Sequence, residues 1–400
     1  MVYLKDESQT AQEKVFIGGK KQARKTFGFD EISLVPGTLT LDIELCDTNF
    51  ILGKYKFNFP IIASAMDSVV SPETAVEINK LGGLAVLNLQ GVYTRYENYK
   101  EVLKKITDVG NDSFVPLMQE LYKEPIKEQL IEKRIKEIKS QGAVCAVSST
   151  PNIAKHLGQV AQNAGADIFV VQSTVVSIEH KSQDRSSCFD LKEFIQSIKI
   201  PVIVGNCVTY EVAMEHMKSG ASAILVGIGP GAACTSRGVL GIGVPMATSI
   251  ADCASARDDY FSSTGRYVHV IGDGGMSTGG DICKAIACGA DAVMIGSPFA
   301  KAKEAPGNGF HWGMATPSPV LPRGTRIKVG SIGTLKDILL GPAQFDDGTQ
   351  NLVGALKTSM STLGAQNIKE MQNVEVVIAP SILAEGKVFQ KAQRLGMGKS

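Results

Sequence analysis

Eight short, continuously apolar runs constrain this fold more than any other feature of the chain. They lie at 60–65 (PIIASA), 83–87 (GLAVL), 143–148 (AVCAVS), 167–172 (DIFVVQ), 201–205 (PVIVG), 222–227 (SAILVG), 268–272 (VHVIG) and 291–296 (DAVMIG). Runs this short, rich in Val and Ile and without polar alternation, read as parallel strands buried on both faces. Helical patterns lie between them at 72–81, 153–164, 212–218 and 280–288, the first opened by Ser71 as N-cap and Pro72 at the first helical position. The joints Ala164-Gly165-Ala166-Asp167, Ser219-Gly220-Ala221-Ser222 and Cys288-Gly289-Ala290-Asp291 each set a glycine where a helix stops before the next strand. Strands alternating with helices in this number predict a single-domain α/β fold, a closed (β/α)₈ TIM barrel rather than an open doubly wound sheet. The expected layout is an N-terminal arm at 1–28, the barrel at 29–378 and a C-terminal tail at 379–400.

Two stretches interrupt the pattern. Residues 93–141 are long, charged and helical (KEPIKEQLIEKRIKEIKS within them) and predict a solvated barrel helix plus an extra surface helix. Residues 302–347 are rich in Gly and Pro and predict a functional loop, lid or flexible insertion.

In such a barrel the chemistry belongs to the loops at the C-terminal strand ends. The sixth run leads into Gly227-Ile228-Gly229-Pro230-Gly231-Ala232-Ala233-Cys234-Thr235-Ser236-Arg237. Its glycines permit close backbone approach to a ligand, with N–H aimed at an anion or C=O at a cation. Cys234 is placed as a nucleophile if its thiolate is accessible, and as an inert core thiol if it is not. After the seventh run come Asp273, Gly274 and Gly275, and after the eighth Gly296 and Ser297. Glycines and hydroxyls leading into helices there predict a phosphate site. Asp273 would repel a phosphate and instead accept hydrogen bonds from a pair of sugar hydroxyls. Ser64 and Met66 after the first run and Asn206 after the fifth complete the rim; Met66 suits either a flat base or the core. His311 is open between a structural and a ligand-binding role.

Composition enters mainly by exclusion. With 41 basic and 40 acidic residues the net charge is +1, so nothing electrostatic points to nucleic acid or an anionic membrane, and an anionic substrate must be held by local donors. No apolar run reaches the roughly 18 residues of a membrane span. Met1 to Gln12 lacks the apolar core of a signal peptide. The 8 cysteines form no CxxC pair, and the 5 histidines show no metal-ligand spacing, so reduced thiols, no zinc site and a cytoplasmic location are expected.

Together the motifs resemble the IMP dehydrogenase / GMP reductase family, from Phe29-Asp30-Glu31-Ile32-Ser33-Leu34-Val35-Pro36 to Gly364-Ala365-Gln366-Asn367-Ile368. GIGPGAACTSR followed by GIGVP, and IGDGGMSTGGDICKAIACGADAVMIGS, carry the resemblance. The chain looks most like the shorter branch without the CBS pair that usually follows the second strand. The resemblance implies IMP dehydrogenase activity: Cys234 attacks C2 of IMP, a hydride passes to NAD⁺, and the thioimidate on Cys234 is hydrolysed to XMP. It implies that Asp273 binds the ribose and that Gly274, Gly275, Gly296 and Ser297 lie at the sugar and phosphate. Ser64, Asn206 and Met66 would contact substrate, with Gly313 and Met314 on the base. The carbonyls of Gly229, Gly231 and Cys234 match a monovalent-cation site, usually K⁺. A homotetramer or octamer is implied, with Ala384-Glu385-Gly386 a candidate to complete a neighbour's cation site.

Several positions depart from the family pattern. Ala232 replaces a phosphate-binding Ser, and His311 replaces a phosphate-contacting Tyr. Ser236 keeps the hydroxyl of a Thr expected two residues after the cysteine. Gln172, followed by Ser173 and Thr174, stands where an Asp contacts the nicotinamide ribose. The stretch 315–326 is too short for the family's flap with its Arg-Tyr pair. Arg326 is the expected match to the flap arginine, with Arg323 the other arginine nearby, and the base that activates water is left unassigned. GMP reductase, an NADPH-dependent deaminase of GMP, is the alternative enzyme. Its expected glutamate is missing from Met314-Ala315-Thr316-Pro317. A nucleotide-binding protein without turnover is the third reading.

Overall fold

The computed structural model describes residues 14–177, 189–379 and 387–396. Met1 to Gln12, Cys188 and Ala384-Glu385-Gly386, all used in the expectations above, lie outside the described residues.

Every one of the eight runs forms a strand. They are β1 (Ile61–Ala63), β2 (Leu84–Asn88), β3 (Ala146–Ser149), β4 (Ile168–Gln172), β5 (Val202–Cys207), β6 (Ala223–Val226), β7 (His269–Asp273) and β8 (Ala292–Ile295). Each pairs in parallel with the next in chain order, and β8 closes on β1 through Val293 opposite Ile61. The result is the single-domain (β/α)₈ barrel that the strand pattern predicts.

The period of two along a strand sorts the side chains into two cores. Ile62, Leu84, Val86, Ile168, Val170, Ile203, Leu225, Ile271 and Met294 pack together inside the barrel. Their strand neighbours Ile61, Leu87, Val147, Phe169, Val171, Val204, Ile224, Val270 and Val293 pack outward with the helices. Both sets are buried, and each aliphatic side chain contributes about 1.5–3 kcal/mol by leaving water. That is why the runs show no polar alternation. An antiparallel hairpin, Phe50–Leu52 with Tyr55–Phe57, adds Phe50, Leu52 and Phe57 to the interior cluster. Phe50 packs on His269 at the start of β7, with ring centroids 5.2 Å apart, so the hairpin floors the barrel and leaves the opposite end for ligand.

The helices are α1 (Pro72–Lys80), α2 (Tyr99–Asp108), α3 (Asn111–Leu121), α4 (Glu128–Lys139), α5 (Pro151–Asn163), α6 (Leu191–Ser197), α7 (Tyr210–Lys218), α8 (Ser236–Leu240), α9 (Met246–Thr264), α10 (Gly279–Ala287) and α11 (Ser297–Ala300), with shorter elements beyond. Ser71 caps α1 by accepting from the Thr74 amide. The joint glycines take left-handed backbone, Gly165 at φ 96°, Gly220 at 105° and Gly289 at 111°, where a side chain would be strained. α9 was not marked by any clear apolar stripe, because its buried face is built largely from small residues such as Ala247, Ala254 and Ala256.

The two irregular stretches need correction. Residues 93–141 hold three helices rather than two. α4 is the barrel helix, while α2 and α3 form an insertion that is not merely a surface helix, since its Phe114 and Met118 are buried. Residues 302–347 are not one structureless loop. They contain an antiparallel ribbon, Phe310–Trp312 with Arg326–Lys328, and a short helix, Leu335–Leu339. Only 313–325, between the ribbon strands, crosses the mouth of the barrel.

Candidate active site

The C-terminal ends of all eight strands open into one pocket. Its wall includes Ser64 and Met66 after β1, Asn88 on β2, Ser148 and Ser149 on β3, and Gln172 on β4 with Ser173 and Thr174 beyond. It continues through Asn206 on β5, Gly227, Gly229, Gly231 and Cys234 after β6, Asp273 to Gly275 at β7, and Gly296 and Ser297 after β8. His311, Gly313, Met314 and Arg323 close it from the late ribbon and its loop.

Cys234 is only half-buried and faces this pocket. Elsewhere in the barrel, burial pushes the Cys145 and Cys288 thiols up to about 12 and Cys283 up to about 11, which leaves them protonated near pH 7. The Cys234 thiol donates to Ser236 Oγ at 3.3 Å, and Ser236 is fully buried at the start of α8. Three residues of the late loop lie along the cysteine loop. Thr235 N donates to Arg323 O at 3.0 Å, Thr325 N donates to Ala233 O at 3.1 Å, and Cys234 faces Gly324 between those bonds.

Asp273 anchors one side of the pocket. Its Oδ2 accepts from Asn206 Nδ2 at 2.7 Å and from Gln172 Nε2 at 2.9 Å. Burial raises its pKa to about 6 even though both hydrogen bonds pull it down. The second Asn206 amide hydrogen goes to Gly227 O at 2.8 Å, so Asn206 offers a ligand only its carbonyl oxygen. Gly274 and Gly275 follow with φ of 80° and 75°. A Cβ on Gly275 would stand 2.9 Å from Pro230 Cβ, so the β7 loop and the cysteine loop interlock only through glycine.

His311 lies close to Gly296, where a Cβ would meet its Cε1 at 3.1 Å and its Nε2 at 3.4 Å. Its Nδ1 is 3.1 Å from Ser68 Oγ. Burial lowers its pKa to about 4, so the ring is neutral near pH 7, and Nε2 is the ring nitrogen that approaches Gly296.

The far side of the pocket is lined by neutral polar groups: Asn88, Gln90, Ser148, Ser149, Thr150, Ser173 and Thr174. Arg323 reaches into it, its Nη1 donating to Thr174 Oγ1 at 3.1 Å. Among the described lining residues it is the single Lys or Arg, as Asp273 is the single acid.

Most of the sequence-derived site therefore converges. Ser64, Met66, Gln172, Ser173, Thr174, Asn206, Gly229, Gly231, Cys234, Asp273, Gly274, Gly275, Gly296, Ser297, His311, Gly313 and Met314 all line one cavity. Ser236 stands behind it, touching Cys234. Arg326 does not belong to it. Its guanidinium points away, to the carbonyls of Ile106 and Val109 and to Asn111 Oδ1. The ribbon register is the cause: Arg326 pairs with Trp312 as a strand residue, while Arg323 still lies in the loop. Arg323, Asn88, Gln90 and the Ser148-Ser149-Thr150 run were passed over. The rule that active residues follow strand ends would have found the last three, since they end β2 and β3.

A cation site at Gly229, Gly231 and Cys234 can be tested against the loop's own bonds. The Gly231 carbonyl accepts from Cys234 N at 3.0 Å, and among the described residues no backbone amide occupies the carbonyls of Gly229 or Cys234. The donor set thus suits a hard monovalent cation.

Fold and site together define a (β/α)₈ barrel protein whose one mouth holds a pocket walled by a carboxylate, glycine-rich loops and a half-buried thiol. The model of the IMP dehydrogenase / GMP reductase domain matches residues 26–315, and the chain belongs to that family. A Mycolicibacterium smegmatis protein described as an uncharacterized oxidoreductase is 38% identical over 91% of this chain and 99% of its own length. An inosine-5'-monophosphate dehydrogenase of Methanocaldococcus jannaschii is 26% identical over 90% of this chain and 94% of its own. The crystal structure of an IMP dehydrogenase/GMP reductase-like protein from Corynebacterium glutamicum superposes with a TM-score of 0.87 at 37% identity, covering 91% of this chain and 97% of that one. The family is one of oxidoreductases. No described helix is long and apolar enough to cross a membrane.

Proposed function

We propose that this protein is an IMP dehydrogenase of guanine nucleotide biosynthesis, oxidising IMP to XMP with NAD⁺ in the cytoplasm. The observation that carries the reading is the half-exposed Cys234 set between two unlike halves of one pocket. One half offers Asp273, His311 and the glycine loops to a ribose phosphate, and the other offers hydroxyls, amides and Arg323 to a second ligand.

The Cys234 thiolate adds to C2 of the purine, and the C2 hydrogen leaves with its electron pair. NAD⁺, when bound, supplies the acceptor for it. Ser236, behind the sulfur, can donate to the thiolate once its proton is gone. Water then adds to the thioimidate carbon, the C–S bond breaks, and the thiol is regenerated. Asp273 holds the ribose hydroxyls, oriented by Asn206 and Gln172. Gly275, Gly296 and Ser297 offer backbone and hydroxyl donors to the phosphate, joined by His311 in place of Ala232. Ser64, Met66, Gly313 and Met314 contact the nucleotide, and Ser173 and Thr174 the dinucleotide. The carbonyls of Gly229, Gly231 and Cys234 would hold K⁺, whose charge steadies a loop that must release its adduct. Arg323, not Arg326, is placed to orient the hydrolytic water by its charge.

A GMP reductase must protonate departing ammonia. Among the described residues the single carboxyl lining the pocket is Asp273, already bound to Asn206 and Gln172, which favours the dehydrogenase. A homotetramer completes the reading. Exposed Phe16, Ile17, Val377 and Ile378 supply apolar surface for it, and light scattering measures it.

The deciding assay is paired. IMP with NAD⁺ and K⁺ should yield NADH and XMP, and Cys234→Ala should abolish both. Consumption of NADPH dependent on GMP would transfer the assignment to the reductase. Tight IMP binding with neither reaction would leave a binding protein.

A further inference from the structure

We propose that the α2–α3 insertion is the docking platform of the active-site loop 313–325, and that Arg326 is the positioning residue that fastens the loop to it. The proposal rests on the reading of Cys234 as the reactive thiol.

The loop leaves the strand Phe310–Trp312 and returns into Arg326–Lys328. On its return it pairs with the cysteine loop through Arg323 O and Thr325 N. One residue after Thr325, Arg326 turns its side chain to the opposite side, into the insertion. Its guanidinium lies between two rings, 4.9 Å from the centroid of Phe114 on α3 and 4.6 Å from that of Phe310. Its Nη1 donates to Ile106 O and, at 3.4 Å, to Thr107 O, both in the last turn of α2. Its Nη2 donates to Val109 O at 2.6 Å and to Asn111 Oδ1 at 3.0 Å, where α2 passes into α3. The last carbonyls of a helix lack intrahelical donors and carry the negative end of its dipole. A planar guanidinium satisfies several of them at once, which an ammonium cannot.

Packing alone would not select this residue. Arg326 is buried, and its Nε has no hydrogen-bond partner among the described residues. Such a group is costly unless its other donors do specific work. A second tie lies at the outer part of the loop, where Gln119 Nε2 on α3 donates to Ser318 O at 3.1 Å. A third joins the insertion to the pocket wall: the hydroxyl of Tyr122, just after α3, donates to Asp67 Oδ2, and Asp67 adjoins Met66. The insertion thus holds the base of the loop, its outer part and the wall it closes against. A change in the insertion is felt at Cys234 through the loop, although no residue of α2 or α3 lines the pocket.

The test compares Arg326→Met, which keeps an apolar side chain between the rings but no donors, with Arg326→Lys and with Gln119→Ala, which trims a half-buried side chain on α3. Two readouts need no turnover: amide hydrogen exchange across 313–325, and the rate at which iodoacetamide alkylates Cys234, followed by peptide mass spectrometry. Arg326→Met should speed exchange in 313–325 by about tenfold or more and raise the alkylation rate, with exchange in the barrel strands unchanged. Arg326→Lys should recover part of that protection, and Gln119→Ala should speed exchange around Ser318. With substrates present, kcat should fall, and the Kd of the nucleotide should rise because Gly313 and Met314 lie on the same loop. Wild-type exchange over 313–325 in both Arg326→Met and Gln119→Ala would overturn the proposal. If Arg326→Met does not fold, wild-type exchange in Gln119→Ala overturns it alone. Failure of the protein to oxidise IMP would remove the proposed function without touching these two readouts.

Discussion

Asn206 Nδ2 stands 2.7 Å from Oδ2 of Asp273, so the end of β5 holds the carboxylate that ends β7. With Gln172 on the same oxygen, Oδ1 is left for a ligand. Burial nonetheless raises this carboxyl to about 6. Ribose hydroxyls donate to the ionised form, so nucleotide Kd should be flat above about pH 6 and rise by about tenfold per pH unit below it. The free protein will not unfold on this account. An acid whose folded pKa exceeds its unfolded value adds stability as pH falls through about 6, and loses that contribution as pH rises through it. Calorimetric titration of IMP from about pH 5 to 8 checks both the midpoint and the proton release. A Kd independent of pH over that range would remove Asp273 from the ribose site.

The Cys234–Ser236 pair makes a second prediction. The thiol donates to Ser236 Oγ at 3.3 Å, and after ionisation the hydroxyl can turn and donate to sulfur. Hydrogen bonds to charged groups are worth about 1.5–3 kcal/mol. Ser236→Ala should therefore slow alkylation of Cys234 near pH 7 by about tenfold. The rate of iodoacetamide labelling, followed across pH, measures it. An unchanged profile would mean the contact does nothing for the thiolate.

His311 should distinguish a phosphate from its absence. Its Nδ1 is engaged with Ser68 Oγ, and its neutral ring presents Nε2 near Gly296. His311→Phe keeps the ring volume and removes that nitrogen. The variant should bind IMP about tenfold more weakly, a loss of ~1.4 kcal/mol, and should bind inosine as well as the parent does. Equal losses for both ligands would place His311 away from the phosphate.

The sequence made the barrel legible because a strand buried on both faces has a composition no surface strand can share; Ile62 and Ile61 point to opposite cores and are both buried. The loop glycines were legible for a similar reason, since Gly274 and Gly275 occupy backbone that other residues avoid. Arg323 and Arg326 were not separable, because three residues of spacing say nothing about which one enters a ribbon strand. That depends on the register Trp312 opposite Arg326, a long-range fact. The insertion was misread for the opposite reason. Its charged residues are exposed, but Phe114 is buried under Arg326 of a ribbon about two hundred positions away in sequence, and no local pattern announces such a partner.

Gln172 supplies the sharpest test of the carboxylate's setting. Its amide donates to Asp273 Oδ2 at 2.9 Å, which an acidic side chain in that place could not do while both are ionised. Gln172→Glu would put two carboxylates in contact, and like charges raise the apparent pKa of the pair. The midpoint for nucleotide binding should then move from about 6 to above about 7, weakening IMP binding at neutral pH and restoring it in alkaline buffer. Gln172→Ala removes one donor and leaves Asn206, so its midpoint should rise by less. If both variants keep the parent midpoint while the Km for NAD⁺ rises, Gln172 serves the dinucleotide and the carboxylate depends on Asn206 alone.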